Sequence, residues 1–208
     1  MAYPISKLII PPMCKLWTKE IKGLENIPTN KQFIIAANHA SYYDTLLIPS
    51  IIIPKTNKKL HAWVNNTYWK NPITGFFLDI WGGIPVYLRK ERDSKGKNTS
   101  AFKSALKYLK DGDIMMIFPE GGRSYDGKLQ KAYTGIGRLA LKSKVQVVPI
   151  GIIGASEVLP KGKTFPRFAR CKVNIGKPMV FKDKANENNA TRKIMKEIAK
   201  LTGQKYNY

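Results

Sequence analysis

The sequence predicts a single α/β domain with a mostly parallel or mixed central sheet flanked by helices, preceded by a basic, apolar N-terminal arm. Short β-branched runs alternate with segments of helical period, the pattern that builds strand–helix–strand units. The 208 residues fit one domain, long enough to bury a real core. No internal repeat, low-complexity tract or second domain is evident, so residues 1–20 form the arm and 21–208 the domain.

The arm interleaves Leu, Ile, Met and Trp with Lys7, Lys15 and Lys19, which suits either a membrane surface or packing on its own domain. It lacks a small-residue cleavage site, so a secretory signal is not expected. QFIIAA, residues 32–37, is short, β-branched and aromatic, and reads as a buried strand. From Thr45 to Ile53 an apolar stretch starts a helix that Pro49 and Pro54 limit. LHAWV is a second strand, and NPITGFFLDIWGG a short helix with Pro72 in its first turn and Gly82 and Gly83 past its end. GIPVYL is a third strand. NTSAFKSALKYLKDG is a helix with Thr99 or Ser100 as its cap, Phe102, Leu106 and Leu109 on one face, and Gly112 as its stop. DIMMIF, VQVVPIGII and CKVNIGKPMVF read as strands, GIGRLALKSK as a helix. TRKIMKEIAKLTG closes the chain as a helix with Ile194, Ile198 and Leu201 in register.

Lys plus Arg number 36 against 14 acidic residues, a net charge of +22, which predicts an anionic partner. The lysines are spread across elements, and no helix-turn-helix, RNP, KH or zinc-finger pattern is present, so nucleic acid is not the expected one. The two cysteines, Cys14 and Cys171, lie far apart and form neither a disulfide framework nor a metal-ligand cluster, which fits a reducing compartment. Proline interrupts the longest apolar runs, which fall short of the ~20 residues a spanning helix needs.

Two constellations follow predicted strands. In NHASYYD, His39 stands five residues before Asp44. On a continuous helix that spacing leaves the side chains about 140° apart, and on a strand it sends them to opposite faces. They meet only if the chain turns between them, with His39 in a loop and Asp44 in the first turn of a helix capped by Ser41. That arrangement supports two readings. Asp44 orients a histidine base, or SYYD is a plain capping pattern beside a loop histidine. In FPEGGRS, Pro119, Gly121 and Gly122 permit a tight turn whose N–H groups can face an anion. Arg123 adds a fork-shaped donor suited to phosphate. Glu120 beside a phosphate is repulsive, so it must pair with Arg123 or another cation, or bond a substrate hydroxyl.

These residues resemble the glycerolipid acyltransferases, specifically the 1-acylglycerol-3-phosphate (lysophosphatidic acid) acyltransferases. NHASYYD is similar to that family's N-H-x-x-x-x-D motif and FPEGGRS to its F-P-E-G-T-R-S motif. GGIPVYLR lies between them, VVPIGI after them, and IKGLENIP and NIGKPMVF flank the set, all in the family's order from Ile21 to Phe181. The resemblance implies His39 as general base and Asp44 as its orienting carboxylate. It implies Glu120, Gly121 and Arg123 as the acceptor-binding block, with Arg123 on the phosphate and Arg89 as a second arginine. An acyl-CoA or acyl carrier protein thioester is the implied co-substrate and a lysophospholipid the acceptor. No cofactor or metal is implied. An anionic membrane surface is the implied partner, with the protein peripheral or monotopic on the cytoplasmic face. Glycerol-3-phosphate or a lyso-aminolipid are alternative acceptors.

Three positions depart from the family pattern. Gly122 stands where the family has Thr, an extra residue separates Val86 from Arg89, and Ala132-Tyr133-Thr134 precede Gly135 where a basic residue is usual.

Overall fold

The computed structural model describes residues 4–87, 93–163, 165–181 and 186–208. Seven strands form one sheet: β1 (Thr18–Lys22), β2 (Ile34–Ala37), β3 (Leu60–Asn65), β4 (Gly83–Val86), β5 (Ile114–Ile117), β6 (Val147–Ile153) and β7 (Cys171–Ile175), in the order β1-β7-β6-β2-β5-β3-β4. All neighbouring pairs are parallel except β6 with β7. The predicted α/β architecture with a mixed sheet is therefore borne out. The longer helices are α1 (Pro4–Lys15), α2 (Asp44–Thr56), α3 (Pro72–Ile80), α4 (Ser94–Lys110), α5 (Gly135–Ser143) and α7 (Glu187–Thr202); α6 (Ala155–Val158) is a single turn.

Strand alternation divides the core into two layers. Ile35 and Ala37 of β2 pack with Cys14 of α1 and with Leu47, Ile48 and Ile52 of α2. Ile34 and Ala36 face the other way, onto Ala105 and Leu109 of α4, Ile136 and Leu139 of α5, and Ile194 and Ile198 of α7. Strand β2 therefore leads to a helix on one face, whereas its neighbour β5 leads to α5 on the other. A crevice opens outside the carboxyl ends of two adjacent strands whose connections diverge in this way. His39 follows the end of β2 by two residues and Glu120 follows the end of β5 by three.

Several local expectations need correction. Helix α2 runs through both Pro49 and Pro54 to Thr56. Each interior proline costs about 3 kcal/mol, but full burial of Leu47, Ile48 and Ile52 is worth about 1.5–3 kcal/mol apiece, which offsets the loss. Helix α4 begins at Ser94, so Thr99 and Ser100 lie inside it and not at its cap. Thr99 instead turns its hydroxyl back to the Lys95 carbonyl, and Asn98 donates to and accepts from the Tyr87 backbone. Helix α7 begins four residues before Thr191, where Asn186 accepts from Asn189 N. The 1–20 segment is helical over α1, which packs on α2, and β1 crosses the boundary drawn at residue 20. Among the described residues no helix is long and apolar enough to cross a membrane.

Candidate active site

The turn required between His39 and Asp44 is present. His39 Nδ1–H donates to Asp44 Oδ2 over 3.0 Å, and the same oxygen accepts the N–H groups of Ala40 and Ser41, each at 2.8 Å. Asp44 is fully buried and opens α2, while Ser41 Oγ accepts from Tyr43 N and donates to Leu159 O. Asp44 thus reaches back to the N–H of Ser41 as a capping-box carboxylate does, and in the same position it orients the histidine. Cap and orienting carboxylate are one residue. A carboxylate only accepts, so Nδ1 carries the proton of the bond, and in the neutral ring that tautomer leaves the lone pair on Nε2. The ring stacks on Phe118, 4.0 Å between centroids, which fixes its plane.

The second constellation holds the backbone of the first. Ser124 N donates to His39 O at 2.9 Å, and His39 N donates to Glu120 Oε1 at 2.9 Å. The other Glu120 oxygen accepts from Gln130 N at 2.8 Å. Sequence reasoning gave Glu120 a cation or a substrate hydroxyl; the structure gives it two backbone donors instead. The cause is burial, since Glu120 is 7% exposed and points into the protein. Burial pushes its carboxyl up to about 7, the nearby Asp44 charge adds to the rise, and the bonds from His39 and Gln130 oppose it.

Gly121 adopts φ +68, and a side chain there would press on the Tyr133 ring. This is the position in the turn where only glycine fits without strain. Gly122 is different: a Cβ there meets nothing within 4 Å, so the missing threonine leaves open space and no distortion. Arg123 stacks its guanidinium on Tyr42, 3.4 Å from the ring centroid, and its Nη1 is buried without a hydrogen-bond partner among the described residues. Tyr42 OH pairs with Tyr68 OH at 2.8 Å, and burial followed by that bond holds Tyr68 up at about 12, fully protonated. Lys161 Nζ donates to the Arg123 carbonyl. Arg89 lies outside the described residues. The structure therefore brings His39, Asp44, Glu120, Gly121 and Arg123 to one crevice.

Three parts of this crevice escaped the sequence. Tyr42 carried no signal beyond its place inside the first motif, and Tyr68 none at all. Asn38 exchanges hydrogen bonds with the Ile152 backbone at 2.9 and 2.7 Å, closing the β2–β6 junction where the ladder ends. Its place directly before His39 was the only available clue. The strap of residues 127–132 reaches Glu120 through one backbone N–H, that of Gln130, which no side-chain motif marks. Among the described residues no group of three or more His, Cys, Asp or Glu side chains could hold a metal ion.

A protein-family model described as Acyltransferase matches residues 19–153, which include both constellations. The chain belongs to the acyltransferase family. Within the family it is 29% identical over 161 residues to the chloroplast 1-acyl-sn-glycerol-3-phosphate acyltransferase LPAT1 of Arabidopsis thaliana, covering 72% of this chain and 42% of that one. It is also 29% identical over 161 residues to the 1-acyl-sn-glycerol-3-phosphate acyltransferase of Bacillus subtilis, covering 77% of this chain and 73% of that one. The chain thus spans less than half the length of the plant relative. The crystal structure of the 1-acyl-sn-glycerophosphate (LPA) acyltransferase PlsC from Thermotoga maritima superposes with a TM-score of 0.73 over 93% of this chain and 77% of that one, at 24% identity. This acyltransferase family member shares that fold.

Proposed function

We propose that the protein moves a fatty acyl group from an acyl thioester to the free hydroxyl of 1-acylglycerol-3-phosphate, giving phosphatidic acid. The observation that carries this reading is the His39–Asp44 pair, with Nδ1–H committed to the carboxylate and Nε2 available as a base. His39 Nε2 takes the acceptor's hydroxyl proton as the oxygen attacks the thioester carbonyl. The carbonyl–sulfur bond then breaks, and the imidazolium returns its proton to the departing thiolate. No acyl-enzyme is required, because the base activates the acceptor directly. Gly121 N and Ser124 N are already engaged with Phe118 O and His39 O. The Gly122 and Arg123 N–H groups remain as oxyanion donors, and the loss of a Thr side chain at Gly122 leaves that donor intact. Arg123 binds the acceptor phosphate, its plane held by Tyr42 and its buried Nη1 awaiting an acceptor. The relatives' names support the choice of acceptor, acyl-CoA or acyl carrier protein supplies the thioester, and the protein works at an anionic membrane surface.

The assay is acyl transfer to lysophosphatidic acid by purified protein from acyl-CoA or from acyl carrier protein. His39→Ala and Asp44→Asn each lower the rate by about 10²–10⁴-fold while leaving the melting transition in place. A folded His39→Ala protein with wild-type turnover would remove the base from the mechanism. Faster transfer to glycerol-3-phosphate than to lysophosphatidic acid would reassign the acceptor.

A further inference from the structure

Helix α3 carries its apolar stripe on the wrong side for a core helix. Ile73, Phe76, Phe77 and Ile80 recur at i, i+3, i+4 and i+7, the spacing of a core-facing stripe. Yet they are 69, 62, 46 and 52% exposed, and Trp81 at the helix end is 42% exposed. The residues that face inward are Gly75, buried beside Trp69, and Leu78, half-buried against Gly83. Phe77 contacts both Phe76 and Trp81, ring centroids 5.8 and 5.6 Å apart, so the three rings form one surface. Contiguous exposed aromatic surface of this kind marks an interaction site.

The position of α3 narrows the partner. Ile84 of β4 faces the α4–α5–α7 layer, so Gly83 faces the opposite side of the sheet, and there its nearest neighbours are Leu78 and Trp69. Helix α3 therefore shares a face with α1 and α2. On that face α1 also exposes Leu8, Ile9 and Met13, and Leu16 just past its end is exposed too. The charged residues of α1 and α2 nearest in sequence to these tracts are the cations Lys7, Lys15 and Lys55, and Lys70 stands just before α3. The α3 carboxylate, Asp79, accepts from Trp69 Nε1. An apolar, aromatic helix stripe rimmed by lysines matches an anionic lipid interface, with rings in the acyl boundary and ammonium groups at the phosphates.

We propose that α3 is a membrane-docking helix in its own right, which seats the crevice at the bilayer surface. The turn that leads into α3 contains Tyr68, whose hydroxyl meets Tyr42 beneath the Arg123 guanidinium. Docking α3 thus brings the phosphate-binding arginine close to the headgroup level. The proposal rests on the phospholipid-acceptor reading for its purpose, but its test does not use catalysis.

The 208-residue protein is sedimented with phosphatidylcholine vesicles with and without phosphatidylglycerol, alongside Phe76→Ser/Phe77→Ser and, separately, Ile73→Ser/Ile80→Ser. These side chains are exposed, so both variants keep the wild-type melt. Each is expected to lose about tenfold or more in partition to phosphatidylglycerol-containing vesicles. Unchanged sedimentation of both variants overturns the proposal. So does concentration-dependent dimerisation of the wild type that Phe76→Ser/Phe77→Ser abolishes without loss of vesicle binding, because the stripe then belongs to a second copy. Acyl transfer to lysophosphatidic acid dispersed in detergent is measured in parallel. Its absence in the wild type refutes the acceptor reading, whatever the vesicles show.

Discussion

Glu120 shows how a motif residue can be legible in identity and illegible in partner. Its place after a strand and before two glycines was plain from FPEGGRS, but its partners are two peptide N–H groups, from His39 and Gln130. Backbone donors leave no mark in sequence. His39 and Asp44 were the reverse case, because a spacing that suits neither helix nor strand demanded the corner found here. Glu120 also has a measurable signature. Its ordinary value of 4.5 rises to about 7 in the folded protein, so the folded state holds a proton that the unfolded chain releases between those values. Stability is therefore expected to fall as pH rises through that window, by on the order of 3 kcal/mol from this group, and to level off above it. Denaturant midpoints of wild type and Glu120→Gln at pH 5 and pH 8 check this. The variant is less stable at low pH, since one of the two N–H groups loses its acceptor, and its pH dependence is flatter. Equal pH slopes would remove Glu120 as the source.

At the scale of elements, strands were read closely and helix boundaries were not. Strands β2, β5 and β6 fell where β-branched runs placed them, because burial on both faces leaves an unbroken apolar signature. Boundaries slipped where packing overruled local preference, as in α2 crossing two prolines and α4 starting five residues ahead of Thr99. The residues after α7 were unreadable for another reason: their role is entirely tertiary. Gln204 accepts from Leu129 N and donates to Gly127 O, and Tyr206 OH accepts from Ala132 N. These bonds hold the 127–132 segment whose Gln130 N in turn holds Glu120. Replacing Gln204 with Ala is expected to cost about 1–3 kcal/mol in stability and to lower kcat more than it raises KM, since the strap ends on the Glu120 carboxylate that holds the His39 backbone. A rise confined to KM would show that the strap acts on the substrate and not on the base.

The whole molecule is two-faced, which composition could not reveal. A charge of +22 gave the sign of the partner but not its direction. Folding sorts the cations: Lys95, Lys97, Lys103 and Lys107 of α4, Arg138 and Lys142 of α5, and Arg192, Lys193 and Lys196 of α7 are exposed on the layer opposite α1 and α3. If α1 and α3 meet the bilayer, that basic layer is turned away from it by more than a Debye length, about 8 Å at physiological salt. Reversing charge at Lys193→Glu and Lys196→Glu is therefore expected to leave vesicle sedimentation unchanged, whereas Lys15→Glu with Lys70→Glu weakens it. The opposite ranking would mean that the protein lies on its other side.

The hydrogen-bond path from Gln204 through Leu129 and Gln130 to Glu120 and His39 also has a meaning in time. During synthesis the His39–Asp44 corner emerges well before Gln204 and Tyr206, the residues that brace it. A nascent chain, or one clipped just after α7, carries both motifs complete and still lacks the brace behind its base. The corner is then braced only once the segment after α7 has docked on residues 127–132.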